Sequence, residues 1–255
     1  MSASLSVPRL EWLRLWRTGR LLVLVLVFTF FGLLGPLTAA YLPEIIGLAS
    51  QSEGITVEVP DPAPADGIVQ YLGNITQIGL IAVAAVAALA LAVDARPGLA
   101  AFYRTRQPHP LSWILPRWAA TSLAAVVAWT IGLVAAVYET VLLIGPLPVG
   151  ELVAGWAFWV AYLVFAVAVV ALAAGLARST VAVTVVAVVI IIGIAIIGVI
   201  PQIGDWLPSH LVGAPAALAS GGAEPGDYVR ATVVSLAATV ACLAGAVALV
   251  RRREL

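Results

Sequence analysis

Six long runs of apolar residues alternate along the chain with short charged or proline-rich breaks, at about 21–42, 71–93, 118–143, 152–174, 181–200 and 228–250. Each is close to the ~20 residues a helix needs to cross a bilayer core, so each predicts a membrane span. The fifth, Val181 to Ile200, is crowded with β-branched side chains. These are weak helix formers in water, but an open segment within lipid satisfies its backbone only as a helix, so a span is still the prediction. Gly32, Gly35 and Pro36 fall in the outer half of the first run, where they predict a kink and the close approach of a neighbouring helix.

The breaks have patterns of their own. From Pro8 to Arg20, Trp12, Leu13, Leu15 and Trp16 gather on one side of a helical wheel and Glu11, Arg14, Arg17 and Thr18 on the other. That suits an amphipathic helix lying in the plane of the membrane surface. A secretory signal is the competing reading of this basic stretch, the apolar run from Leu21 and the small residues Thr38-Ala39-Ala40; a retained first span is the expectation. Glu44 to Gln70 carries acidic residues without one basic residue, and Pro60, Pro62 and Pro64 predict an extended loop. Between the second and third runs, Pro97 and Gly98 can open a short helix that Pro108 and Pro110 must close. Within it Leu99, Phe102, Tyr103 and Arg106 repeat at the spacing of one helical face. A solvated loop is the alternative reading of the same residues. Gly145-Pro146-Leu147-Pro148 predicts a tight turn, and Pro201 to Asp227, with Trp206-Leu207-Pro208 and an apolar stretch broken by Pro215, predicts two short broken helices dipping into the outer leaflet.

Composition excludes the soluble classes: 62% of residues are hydrophobic, only 10% are charged, and the mean hydropathy is +1.08. A net charge of zero gives no reason to expect a nucleic-acid partner. Where the charges sit matters more. Lysine is absent, and twelve of the 13 arginines (Arg9, Arg14, Arg17, Arg20, Arg96, Arg104, Arg106, Arg117, Arg178 and Arg251 to Arg253) fall on one side of the six-span topology, leaving Arg230 on the other. The excess of arginine in cytoplasmic loops then predicts a plasma-membrane protein with both termini inside.

Candidate chemistry is sparse. A phosphate-binding loop of the Gly-x-x-x-x-Gly-Lys type cannot occur without lysine. His109 and His210 fall in loops on opposite sides and no cluster of aspartates marks a span end, which argues against an intramembrane hydrolase or a prenyl-transfer enzyme. Cys242 stands alone within the sixth run, so no disulfide is expected. Asn74 and Gln77 at the start of the second span, Glu139 near the outer end of the third, and Trp206 are the candidates for a pathway or gate, because polar groups at membrane depth are costly and often functional. Interhelical hydrogen bonding (Asn74, Gln77) or an interfacial position (Glu139, Trp206) is the alternative for each. Asp205 and His210 are the nearest approach to a metal pair, and no metal is expected.

Taken together in order, several stretches resemble the permease subunit of a type-2 ABC exporter. They are Glu11-Trp12-Leu13-Arg14 through Arg20, Phe30-Phe31-Gly32-Leu33-Leu34-Gly35-Pro36 to Tyr41-Leu42-Pro43, Asn74-Ile75-Thr76-Gln77-Ile78-Gly79, Arg96-Pro97-Gly98, Trp206-Leu207-Pro208-Ser209-His210-Leu211, and Arg251-Arg252-Arg253-Glu254-Leu255. The resemblance implies an all-α fold of six spans with an in-plane helix before the first, a cytoplasmic coupling helix between the second and third, and re-entrant helices between the fifth and sixth. It implies that Arg96, Leu99, Phe102, Tyr103, Arg104 and Arg106 contact an ATP-binding cassette ATPase. That partner would hold the ATP and magnesium, this chain carrying no cofactor, and a second permease, a copy or a sister protein, would complete the path. Where members often have a glutamate and a Gly-Thr pair, this chain has Asp94 and Gly98-Leu99. The implied function is export of an amphipathic or hydrophobic compound. A membrane anchor that recruits a cytosolic ATPase without moving a solute is the alternative, and a channel fits less well because no ring-forming filter is seen.

Overall fold

A chain this apolar must satisfy its backbone without help from water, and among the described residues every regular element is helical. The computed structural model describes residues 7–53, 60–95, 98 and 109–252. In order these form α1 (Val7–Arg17), α2 (Arg20–Glu53), α3 (Pro64–Asn74), a π-helical turn (Ile75–Gly79), α4 (Leu80–Leu91), α5 (Leu111–Leu143), α6 (Val149–Leu176), α7 (Thr180–Ile197), α8 (Pro201–Gly204), α9 (Ala214–Ala219) and α10 (Val229–Arg252). Short 3₁₀ turns occupy Val93–Ala95, Pro208–Val212 and Pro225–Tyr228. Six segments are long and apolar enough to cross a membrane: Arg20–Leu48, Pro64–Leu91, Leu111–Leu143, Val149–Leu176, Thr180–Ile197 and Pro225–Arg252. The chain is an all-helical, multi-pass membrane protein. Arg96, Leu99, Phe102, Tyr103, Arg104 and Arg106 lie outside the described residues.

Helix ends depart from the sequence expectation where proline was read as a breaker. The stretch 44–70 was expected as an extended loop, but α2 runs on to Glu53 with Pro36 and Pro43 inside it. Each costs one backbone hydrogen bond, which membrane helices tolerate when neighbours and side chains compensate. α3 then begins at Pro64, because proline at a first helical position gives up only an N–H that has no intrahelical acceptor. The Asp66 carboxylate fastens this start by accepting the Ala63 N–H at 2.8 Å.

α6 is the centre of the bundle, packed against α4, α7, α9 and α10, while α2 lies along α5 and α3. The core is aromatic. Trp129 of α5 stacks on Trp159 of α6 with ring centroids 4.4 Å apart and on Tyr71 of α3 at 5.5 Å, and both indoles are fully buried. Helices approach closely here because Gly132 leaves room: a Cβ at that position would stand 2.6 Å from the Phe28 carbonyl oxygen and collide with the Tyr71 hydroxyl. By contrast α7 and α10 bury only 17% and 22% of their most apolar windows, so they form the rim of the bundle.

At the arginine-rich end, α1 is held against α5 by a buried ion pair. Arg117, 1% exposed, donates from Nε to Glu11 Oε1 at 3.1 Å, and its guanidinium lies 5.7 Å from the centre of the Trp113 ring. Arg14 approaches the same carboxylate at 3.6 Å from a more exposed position. Glu11 on the polar face of the wheel and Arg117 just before the third apolar run gave no sequence sign of this contact, which joins positions 106 residues apart.

Candidate functional site

Midway along the second span the chain contains one residue more than an α-helix accommodates. The Leu80 N–H reaches back to the Ile75 carbonyl, five residues away, and the turn Ile75–Gly79 is π-helical. Such bulges locally re-aim side chains and are frequent at functional sites. Here the turn puts Thr76 on the wall of a cavity of about 410 Å³, with Leu80, Tyr162 of α6, Ile191, Ile192 and Ala195 of α7, and Ser209, His210 and Val212 from the following 3₁₀ turn. The Thr76 hydroxyl is buried and has no hydrogen-bond partner. Buried polar groups are nearly always paired, so this hydroxyl, next to the cavity wall, is an exception within the π-turn.

The roof of the cavity is anchored to the central helix. The Trp159 indole N–H donates to the Val212 carbonyl at 3.1 Å, and Leu211 and Leu218 are fully buried. Pro215 of α9 sits so close to α6 that a Cβ at Gly155 would lie 2.5 Å from the Pro215 Cα, which makes Gly155 the seat of the roof. The floor is closed: below it α4, α6 and α7 pack on one another, with Ala87, Val183 and Ala187 fully buried.

His210 also lines a second cavity, of about 400 Å³, with Asp205, Asp227, Tyr228 and Arg230. The His210 ring stacks on Tyr228 at 4.8 Å, and its Nδ1 lies 3.8 Å from Asp205 Oδ1. Arg230 places its guanidinium 5.3 Å from the centre of the exposed Trp206 ring, and the Asp227 carboxylate accepts the Glu224 N–H at 2.9 Å. No group of three histidine, cysteine, aspartate or glutamate side chains that could hold a metal occurs among the described residues. A separate cleft of about 470 Å³ between α5 and α6 is almost wholly apolar, with the Trp156 N–H donating to the Thr130 hydroxyl at 2.9 Å.

The four polar candidates are not brought together. Asn74 is half-buried at the end of α3, and Gln77 is exposed in the π-turn; neither lines either of the two cavities, whereas their neighbour Thr76 lines the first. Glu139, half-buried near the end of α5, lines neither of the two cavities. Trp206 enters indirectly, through the arginine stacked on it. Thr76 and Ser209 were missed because a threonine and a serine next to apolar runs look like span-end residues, and Tyr162 because an aromatic within an apolar run looks like packing; Asn74-Ile75-Thr76-Gln77 ahead of Gly79 was the available signal of a break in the helix. The two cavities offer apolar walls, a few hydroxyls and, past His210, a charged rim, which is chemistry for holding an amphiphile.

Over 182 residues, covering 71% of this chain and 69% of the relative, the sequence is 25% identical to a Bacillus subtilis (strain 168) protein described as uncharacterized transmembrane protein YxlG. No family model and no solved structure matches the chain.

Proposed function

We propose that the chain is the permease subunit of a transporter of the type-2 ABC exporter class and moves an amphipathic or hydrophobic compound outward. The observation that carries the reading is the cavity between the second and fifth spans, which lies toward the arginine-poor end, with α4, α6 and α7 packed on one another between it and the arginine-rich end. From the depth of Leu80, Tyr162 and Ile191, the helices run on for about 16–21 Å to their arginine-rich ends. That places the floor near the middle of a bilayer core of ~30 Å, where a carrier's site is expected.

In this reading the arginine-rich end is cytoplasmic in the plasma membrane and α1 lies in the plane of the inner surface. The segment α8–α9 is the re-entrant element above the cavity. Arg96, Leu99, Phe102, Tyr103, Arg104 and Arg106 meet the ATP-binding cassette ATPase, which supplies ATP hydrolysis with magnesium. A second permease, a copy or a sister subunit, covers part of the exposed face of α2, α7 and α10. Co-reconstitution of the chain with the ATPase it co-purifies with, in liposomes, tests this: ATP-dependent movement of an amphiphile with stimulated hydrolysis is expected. An ATPase that binds but moves no amphiphile of any charge class would replace the permease reading with that of a membrane anchor.

A further inference from the structure

We propose that the two neighbouring cavities, which share His210 as a wall, form one binding site for an amphiphile with a cationic head, its apolar body in the inner cavity and its head in the outer one. The two together measure about 410 and 400 Å³ and share His210; their combined size falls within the range of small-molecule sites. The inner walls include Leu80, Ile191, Ile192 and Val212, so this end takes an apolar body.

The sign of the head follows from the charges around the outer cavity. Asp205 and Asp227 line it and Glu224 stands beside them, against one cation, Arg230. That guanidinium is occupied by the Trp206 ring, and among the described residues no carboxylate approaches it within ion-pair distance. Arg230 therefore does not neutralise these carboxylates, and among the described residues Asp205 has only the His210 ring, at 3.8 Å, within ion-pair distance. Arg230 is also the one arginine that the topology places at this end of the chain. A cleft with an excess of carboxylates raises the local concentration of cations, and the stacked Tyr228 and His210 rings supply an aromatic wall of the kind that organic cations favour. An anionic head would face Asp205 and Asp227 with only a committed arginine to receive it.

The proposal rests on the permease reading for the outward movement of the ligand, but its test needs no ATPase. The full chain in nanodiscs of zwitterionic lipid is titrated with octyltrimethylammonium, octanol and octyl sulfate, each corrected for partition into empty nanodiscs. The cation is expected to bind tightest. Asp205 is exposed, so Asp205→Asn should weaken the cation by only about threefold, as for an exposed charge contact, and Asp205→Arg by about tenfold, with octanol unchanged. Ala195→Phe, which narrows the inner cavity, should weaken all three. Equal binding of the three probes, preference for octyl sulfate, or cation binding indifferent to Asp205→Arg would overturn the proposal. Binding as expected with no ATP-driven movement of the cation in the co-reconstituted system would instead sink the permease reading and leave the site standing.

Discussion

Removing Glu11 tests whether the buried ion pair is what holds α1 to the bundle. Its carboxylate is 8% exposed and accepts from Arg117, whose guanidinium is 1% exposed, at 3.1 Å. Breaking such a pair by deleting one partner costs about 3–5 kcal/mol, because the remaining charge stays buried. For a chain of this size, about 2–4 °C of melting temperature per kcal/mol gives a fall of roughly 6–20 °C for Glu11→Ala. Arg14 lies 3.6 Å from the same carboxylate on a more exposed side chain, so Arg14→Ala should cost no more than about 1 kcal/mol. Replacing both buried partners together, as Glu11→Leu with Arg117→Met, removes both buried charges and should recover most of the loss. The measurement is the melting temperature of the purified chain in detergent, read by size-exclusion after a heating series. Equal small shifts for Glu11→Ala and Arg14→Ala, or a double variant as unstable as the sum of its single changes, would refute the reasoning.

Three further outcomes are expected. Gly155→Val drives a branched side chain into the Pro215 backbone, so it should displace α9 and raise protease cleavage within 213–222 while leaving membrane insertion intact. In a background lacking Cys242, a cysteine at Glu224 should react with a membrane-impermeant maleimide in intact cells and one at Thr105 should not; the reverse pattern inverts the orientation argued from arginine. Phe102→Ala should reduce ATPase coupling in reconstituted liposomes far more than Arg104→Ala, since apolar anchors dominate interfaces and exposed ion pairs contribute about 0–1 kcal/mol; unchanged hydrolysis with intact co-purification would remove Phe102 from that contact.

Six spans were legible because burial in lipid imposes long apolar runs that no other demand on a sequence mimics. The ends of those spans were less so, since Pro43 and Pro64 carry the same letter and opposite meanings: one is carried inside α2, the other opens α3. The site was only half legible. Polar letters at Asn74 and Gln77 pointed to the right turn, but the extra residue of the π-turn decides which side chain faces inward, and that is Thr76. The residues that line the cavity with Thr76 come from α6, α7 and the 3₁₀ turn at Pro208–Val212, and such separations leave no local signature. The same reason hid the pairing of Glu11 with Arg117.

On the permease reading, what moves during transport follows from where the packing can yield. Trp129, Trp159 and Tyr71 form a buried stack across α3, α5 and α6, and Gly132 lets α2 and α5 touch at backbone distance. Opening that contact would expose large aromatic surface and leave close-packed backbone without its partner, so α5 and α6 act as the frame. The cavity floor is different, because Ala87, Val183 and Ala187 present little surface to each other and α7 is mostly exposed along its length. Separating α4 from α7 there costs only the burial of small side chains, at about 25 cal/mol per Å² exposed. The π-turn above it gives α4 a place to take up rotation without breaking the span, since an extra residue can shift along a helix at the cost of re-pairing a few backbone bonds. Access from the arginine-rich end is therefore expected to open between α4 and α7, with the roof held to α6 by Trp159 and Pro215 throughout.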